Sequence, residues 1–177
     1  QCADAIMRLR AEYLWRQKRY DEIQFNFVNG FNAEYAQGRK GKRIAVKGNK
    51  AYWTNNGLPS DEYPSFWKYM EMVFSYAGTL SLAKELTPVE IKDIAIGDIF
   101  IQGGSPGHAI IVVDKAVHNS TGEPIVLLAQ SYMPAQELHL LMNVYEEEKL
   151  GPWFTLNEEE LKTPDWFFTL SDLKRFP

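Results

Sequence analysis

The stretch IAIGDIFIQGGSPGHAIIVVDKAV, Ile94 to Val117, decides how the rest of the chain is read. Two short apolar runs rich in Ile and Val flank GGSPG. A third, EPIVLLAQSY from Glu123 to Tyr132, follows the turn NSTGE. Apolar runs of this length, bounded by Gly, Pro, Asn and Ser, read as strands, and three in succession predict an antiparallel meander. The meander sets the class as α+β once the segments around it are assigned.

Upstream, Phe66, Tyr69, Val73 and Tyr76 recur at three and four residues, which predicts a helix from Ser65 to Tyr76 with Ser65 as its cap and Gly78 near its end. A shorter helix is expected from Ser81 to Leu86. Phe66, Trp67, Tyr69 and Phe74 form a dense aromatic stripe, read as core. Before it, Arg43–Val46 and Ala51–Thr54 form a small hairpin, and Ile23–Val28 alternates Ile, Phe, Phe with Gln, Asn, as a half-buried strand does. At the start, Cys2, Ile6, Leu9 and Tyr13 fall on one side of a helix reaching about Lys18. Downstream, GPWFTL and DWFFTLSDLKRF predict one more strand and a closing segment, and Glu146–Lys149 reads as a solvated charged face.

A chain of 177 residues, 45% apolar and 24% charged, is long enough for one domain with a sizeable core, residues 1–177. The net charge of −4 and the absence of a basic, aromatic-interleaved cluster argue against nucleic acid. The basic run Gly38–Arg43 reads as a solvated loop. No apolar stretch approaches the ~20 residues a bilayer span requires. One cysteine excludes an internal disulfide and any zinc site of several thiolates. The chain does not begin with Met, so a leader or preceding segment is expected upstream.

The candidate chemistry follows from the layout of those elements. Cys2 opens a helix, where unpaired backbone N–H groups and the helix dipole favour an anion. A free thiol, with a pKa near 8.5, is only a few per cent ionised at neutral pH, so a nucleophilic role needs such a site, a neighbouring imidazole, or both. His108 starts a strand far downstream, after the small residues Gly104, Ser105 and Gly107. A third group is needed to fix its tautomer, and the next strand ends in Gln130. Gln136, Asn143 and His139 are competitors for that role. The side-chain amide of Gln1 and the backbone N–H of Cys2 are the candidate oxyanion donors. Trp53 and Trp67, with Gly104, Ser105 and Gly107, are the candidate substrate cleft. Asp98, after Gly97, reads as a turn-shaping residue that satisfies backbone donors. His118 lies in a turn, and His139 has no second ligand at helical or strand spacing, so no metal or other cofactor is expected.

The order of QC opening a helix, GDIFIQ, GHAIIVVD and IVLLAQS resembles the papain-like cell-wall enzymes of the CHAP amidase and NlpC peptidase type. Those families place a cysteine on a helix, then a GD-containing strand, a histidine on the next strand and a polar orienter on the one after, an order that Cys2, Asp98, His108 and Gln130 follow here. Over its length, through QCADA, FNFxxGF, GDIFIQGGSPGHA and AQSYMPAQ, the chain also resembles domain-of-unknown-function family 4846, typical of exported Bacteroidetes proteins. Together these imply a papain-like α+β fold, export to the periplasm or cell envelope, and a small peptide or glycopeptide as substrate. The expected reaction is cofactor-free acyl transfer: Cys2 attacks, His108 moves the proton, Gln130 orients the imidazole. The rival readings are a non-catalytic glycan- or peptide-binding module that uses Trp53 and Trp67, and a structural or partner-docking domain, which predicts an open apolar patch and no ordered Cys–His contact; the alternative for Cys2 itself is an inert buried thiol.

Overall fold

The computed structural model describes residues 1–145, 151–156 and 159–177, so the charged run Glu146–Lys149 lies outside the described residues. In chain order the elements are α1 (Cys2–Arg16), the hairpin β1 (Gln24–Asn26) and β2 (Asn32–Glu34), α2 (Tyr35–Arg39), the hairpin β3 (Arg43–Lys47) and β4 (Lys50–Thr54), α3 (Tyr63–Tyr76) and α4 (Thr79–Glu85). The remainder is strand: β5 (Thr87–Pro88), β6 (Ile99–Gln102), β7 (His108–Val117), β8 (Pro124–Gln130), β9 (His139–Leu140), β10 (Trp153–Thr155), β11 (Glu160–Lys162), β12 (Phe167–Thr169) and β13 (Leu173–Arg175). The architecture is mixed α+β with small antiparallel sheets.

The expected meander β6–β7–β8 is present and forms the centre of a larger sheet, ordered β10-β8-β7-β6-β13-β5, with β9 also paired to β8. Alternate residues of these strands enter two different cores. Ile99, Ile101, Ala109, Ile111 and Ala129 pack with α1 and α3. Phe100, Ile110, Val112, Val126 and Leu128 pack with Phe154, Leu161, Phe168 and Leu173 from the last quarter of the chain. Burial on both faces is why these strands are apolar without interruption instead of alternating with polar residues. The closing segment threads back as β13, between β6 and β5.

Several local expectations are corrected by packing. The buried face of α1 is Ala3, Ile6, Met7, Ala11 and Leu14. Leu9 and Tyr13, expected there, are 39% and 54% exposed. The buried face thus runs through Ala3, Met7, Ala11 and Leu14 at helical spacing, with Ile6 beside it, turned away from Leu9 and Tyr13. α3 begins two residues before Ser65, after Glu62, with Pro64 in its first turn where a missing N–H costs nothing. The basic run is not a solvated loop: Arg39 pairs with Asp61 at 2.7 Å and stacks on Tyr20, while Arg43 donates to the carbonyls of Gly38, Lys42 and Leu58. Those two cations fasten α2 and the β3–β4 hairpin to the loop before α3.

Candidate active site

His108 is the first residue of β7 and Gln130 the last of β8, so the antiparallel pairing of two buried strands sets their side chains next to one another. His108 Nε2 lies 2.8 Å from Gln130 Oε1. Gln130 Nε2 in turn donates to Asp165 Oδ2 at 2.7 Å. A carboxylate only accepts, so Asp165 orients the amide with its nitrogen outward and its oxygen toward the ring. That oxygen requires a proton on Nε2, which leaves Nδ1 as the basic nitrogen of the imidazole. Asp165 sits in a turn tied by Thr163, whose Oγ1 donates to the Trp166 carbonyl at 2.6 Å and accepts from the Trp166 N–H at 3.2 Å.

Three rings enclose the imidazole: Tyr132, Trp166 and Phe168, at centroid distances of 5.0, 5.5 and 6.0 Å. Trp166 is positioned by its indole N–H on Gln102 Oε1 at 2.9 Å, and Gln102 Nε2 donates to Asp172 at 2.8 Å. His108 is only 2% exposed. Burial is the largest influence on its pKa and holds it below the ordinary value of 6.5, against the opposing pull of Gln130 and Asp165.

Cys2 is half-buried on the first turn of α1. It lines a cavity of about 490 Å³ together with Gln1, Gly107, His108, Tyr132 and Trp166. The thiol and imidazole therefore open on one space, and no hydrogen bond joins them among the described residues. Gln1 borders the same space; its Oε1 accepts a long hydrogen bond from Ser131 Oγ at 3.4 Å. The amides of the first turn of a helix lack intrahelical acceptors, which gives this wall of the cavity its donors.

The other residues singled out from the sequence divide. Gly107 borders the cavity, whereas Gly104 and Ser105 are not among its walls. The glycines of this loop answer a packing demand: a Cβ on Gly107 would lie 2.5 Å from Thr79 Oγ1 and 2.7 Å from the Gly104 backbone, and one on Gly103 2.8 Å from Ala83. Trp67 lines a neighbouring groove along α1, with the Arg8 guanidinium 5.0 Å from its ring centroid. Trp53 lies elsewhere, on the β3–β4 hairpin against Phe31, bordering a separate cavity. The two tryptophans do not share a cleft. Of the competitors for the third position, the Gln136 carbonyl accepts from Ser131, Asn143 donates to the Trp153 carbonyl, and the exposed His139 turns to the Glu137 carbonyl. Asp98 is 1% exposed, accepts from the Ala95 N–H and pairs with Arg175 at 2.6 Å, and it is not among the walls of the thiol cavity.

Sequence reading missed Asp165, Trp166, Tyr132 and Gln102. For Asp165 and Trp166 the nearest signal was TPDWFF, Thr163 to Phe168, a turn sequence followed by an aromatic cluster without periodicity to link it to His108, Asp165 lying 35 residues beyond Gln130; Gln102 and Tyr132 stand at the ends of the apolar runs IFIQ and IVLLAQSY. Among the described residues no group of three or more His, Cys, Asp or Glu is placed to hold a metal ion, and no helix is long and apolar enough to cross a membrane. In comparisons with known proteins, a family model described as Domain of unknown function (4846) matches residues 1–175. No curated protein and no solved structure matches the chain.

Proposed function

The chain belongs to the family of domain of unknown function 4846, and from that premise we propose that it is a cysteine hydrolase of papain-like arrangement acting on peptide amides or related acyl bonds. The observation that carries the reading is the hydrogen-bonded line Asp165–Gln130–His108, which ends on a cavity whose wall includes Cys2. A thiol on a helix, a histidine on one strand and a polar orienter on the next is the arrangement this chemistry uses.

In the acylation step the Cys2 thiol gives its proton to His108 Nδ1 and its sulfur attacks the acyl carbon. The carbonyl electrons move onto oxygen, where the Gln1 amide and the Cys2 N–H are the proposed donors. On collapse the C–N bond breaks, and the imidazolium returns the proton to the departing amine. Water then adds to the thioester with Nδ1 as base, the C–S bond breaks, and the acid and the thiol are released. Gln130 holds Nε2–H throughout, and Asp165 holds Gln130. The proposed substrate is a peptide or glycopeptide of the cell envelope, and export of the domain is part of the same proposal.

The test is alkylation of Cys2 by iodoacetamide at pH 7. The wild-type rate should exceed that of His108→Ala at least about tenfold, because the imidazole supplies the base that ionises the thiol. Cys2→Ala should in parallel lose hydrolysis of envelope-type peptide amides. Equal alkylation rates in wild type and His108→Ala would refute the pairing. The binding-module alternative draws no support from the tryptophans, since Trp53 and Trp67 border different cavities.

A further inference from the structure

Farther along α1 lies a second cavity, of about 580 Å³, which shares no lining residue with the one at His108. Its apolar part is built from the buried Ile6 and Ile111, the half-buried Phe176, and two side chains that remain open to solvent, Leu9 at 39% and Ile96 at 63% exposure. Three guanidiniums also border it. Two are neutralised: Arg175 by Asp98 through contacts of 2.6 and 2.8 Å, and Arg19 by Glu22 at 2.7 Å. The third, Arg10, is not. Among the described residues its guanidinium makes neither a salt bridge nor a hydrogen bond, the Glu22 carboxylate being engaged by Arg19, and its Cζ rests 5.2 Å from the Phe176 ring centroid. Burial foremost, and then the charge of Arg19, disfavour the cationic form of Arg10, with Glu22 and Tyr13 opposing. A half-buried cation left over between two closed ion pairs asks for a single negative charge, and the apolar surface beside it asks for a hydrocarbon.

We propose that this cavity binds a medium-chain monocarboxylate, with its head group paired bidentately to Arg10 and its alkyl chain on Ile6, Leu9, Ile96 and Ile111. The planar fork of one guanidinium matches one carboxylate. A dianionic head would leave a charge uncompensated, because Arg19 and Arg175 already have partners. The volume, and apolar walls set beside a few charged groups of which two pairs are closed, are those of a small-molecule site.

Calorimetric titration of the full chain with decanoate, kept below its micellar concentration, tests the assignment. One decanoate should bind per chain, Arg10→Gln should weaken it at least about tenfold, and decanol should bind weakly and equally to both proteins. Ile96→Glu, at a position exposed enough to be tolerated, should weaken decanoate as well by placing an anion beside the chain. Absence of saturable decanoate binding, an unchanged affinity in folded Arg10→Gln, or decanol binding as tightly as decanoate would each overturn the proposal.

Discussion

Gln130 has two ends of nearly the same shape and opposite hydrogen-bonding character, and Asp165 decides which of them faces the imidazole. Replacing Asp165 with Asn removes that decision, since an amide both donates and accepts. Asp165→Asn should therefore keep the fold while lowering the Cys2 alkylation rate at pH 7 by about tenfold, the scale of losing a group that orients another. A purely structural role for Asp165 predicts a changed unfolding midpoint with an unchanged alkylation rate. His108 itself carries a pH signature. Its folded pKa lies below the ordinary 6.5 because burial disfavours the imidazolium. The unfolded chain then binds more protons than the folded one as pH falls through about 6.5, so this contribution to stability is full above that value and is lost on the acid side. Urea midpoints of the wild type should decline from pH 7.5 to pH 5 more steeply than those of His108→Asn. Parallel declines would show that His108 does not contribute.

At the scale of elements, the GGSPG loop and α1 show what packing demands of a segment. The Gly107 Cα approaches Thr79 and the Gly104 backbone so closely that a methyl group has no room, and the neighbours on one side are backbone. Gly107→Ala should cost about 2–3 kcal/mol by overpacking, read as a lowered thermal midpoint, and should move His108, the next residue. On α1 the exposures separate two apolar positions that flank Arg8. Met7 is 1% exposed and packs in the core, whereas Leu9 is 39% exposed. Met7→Ala should cost about 2–5 kcal/mol, while Leu9→Ser should change stability by no more than about 0.5 kcal/mol. The reverse order in urea unfolding would restore the helix face that the spacing alone suggested.

At the scale of the whole molecule, β13 brings the end of the chain into the sheet between β6 and β5, and Arg175 on it meets the buried Asp98 at the head of β6. Arg175→Met leaves that carboxylate with the Ala95 N–H as its side-chain partner. With the arginine itself part-exposed, the loss should be about 2–4 kcal/mol in urea unfolding, somewhat below that of a fully buried pair. The same topology explains what was legible beforehand. Each strand of the meander, the two hairpin strands β3 and β4, and the helices α1, α3 and α4 announce themselves through local periodicity, and the polar residues His108 and Gln130 stand out at the ends of apolar runs. These are properties of neighbours in sequence, which side-chain spacing records directly. The second core behind the sheet, the rotated face of α1, the ion pairs of Arg39 and Arg175 and the orienting carboxylate of Asp165 depend on partners tens of residues away. Local patterning alone dictates the α+β elements, the thiol at a helix start and the histidine at a strand start. Long-range packing selects which carboxylate holds the amide, which tryptophan stands near the thiol and which arginine is left without a salt bridge, because shape and burial choose among contacts that sequence spacing leaves equivalent.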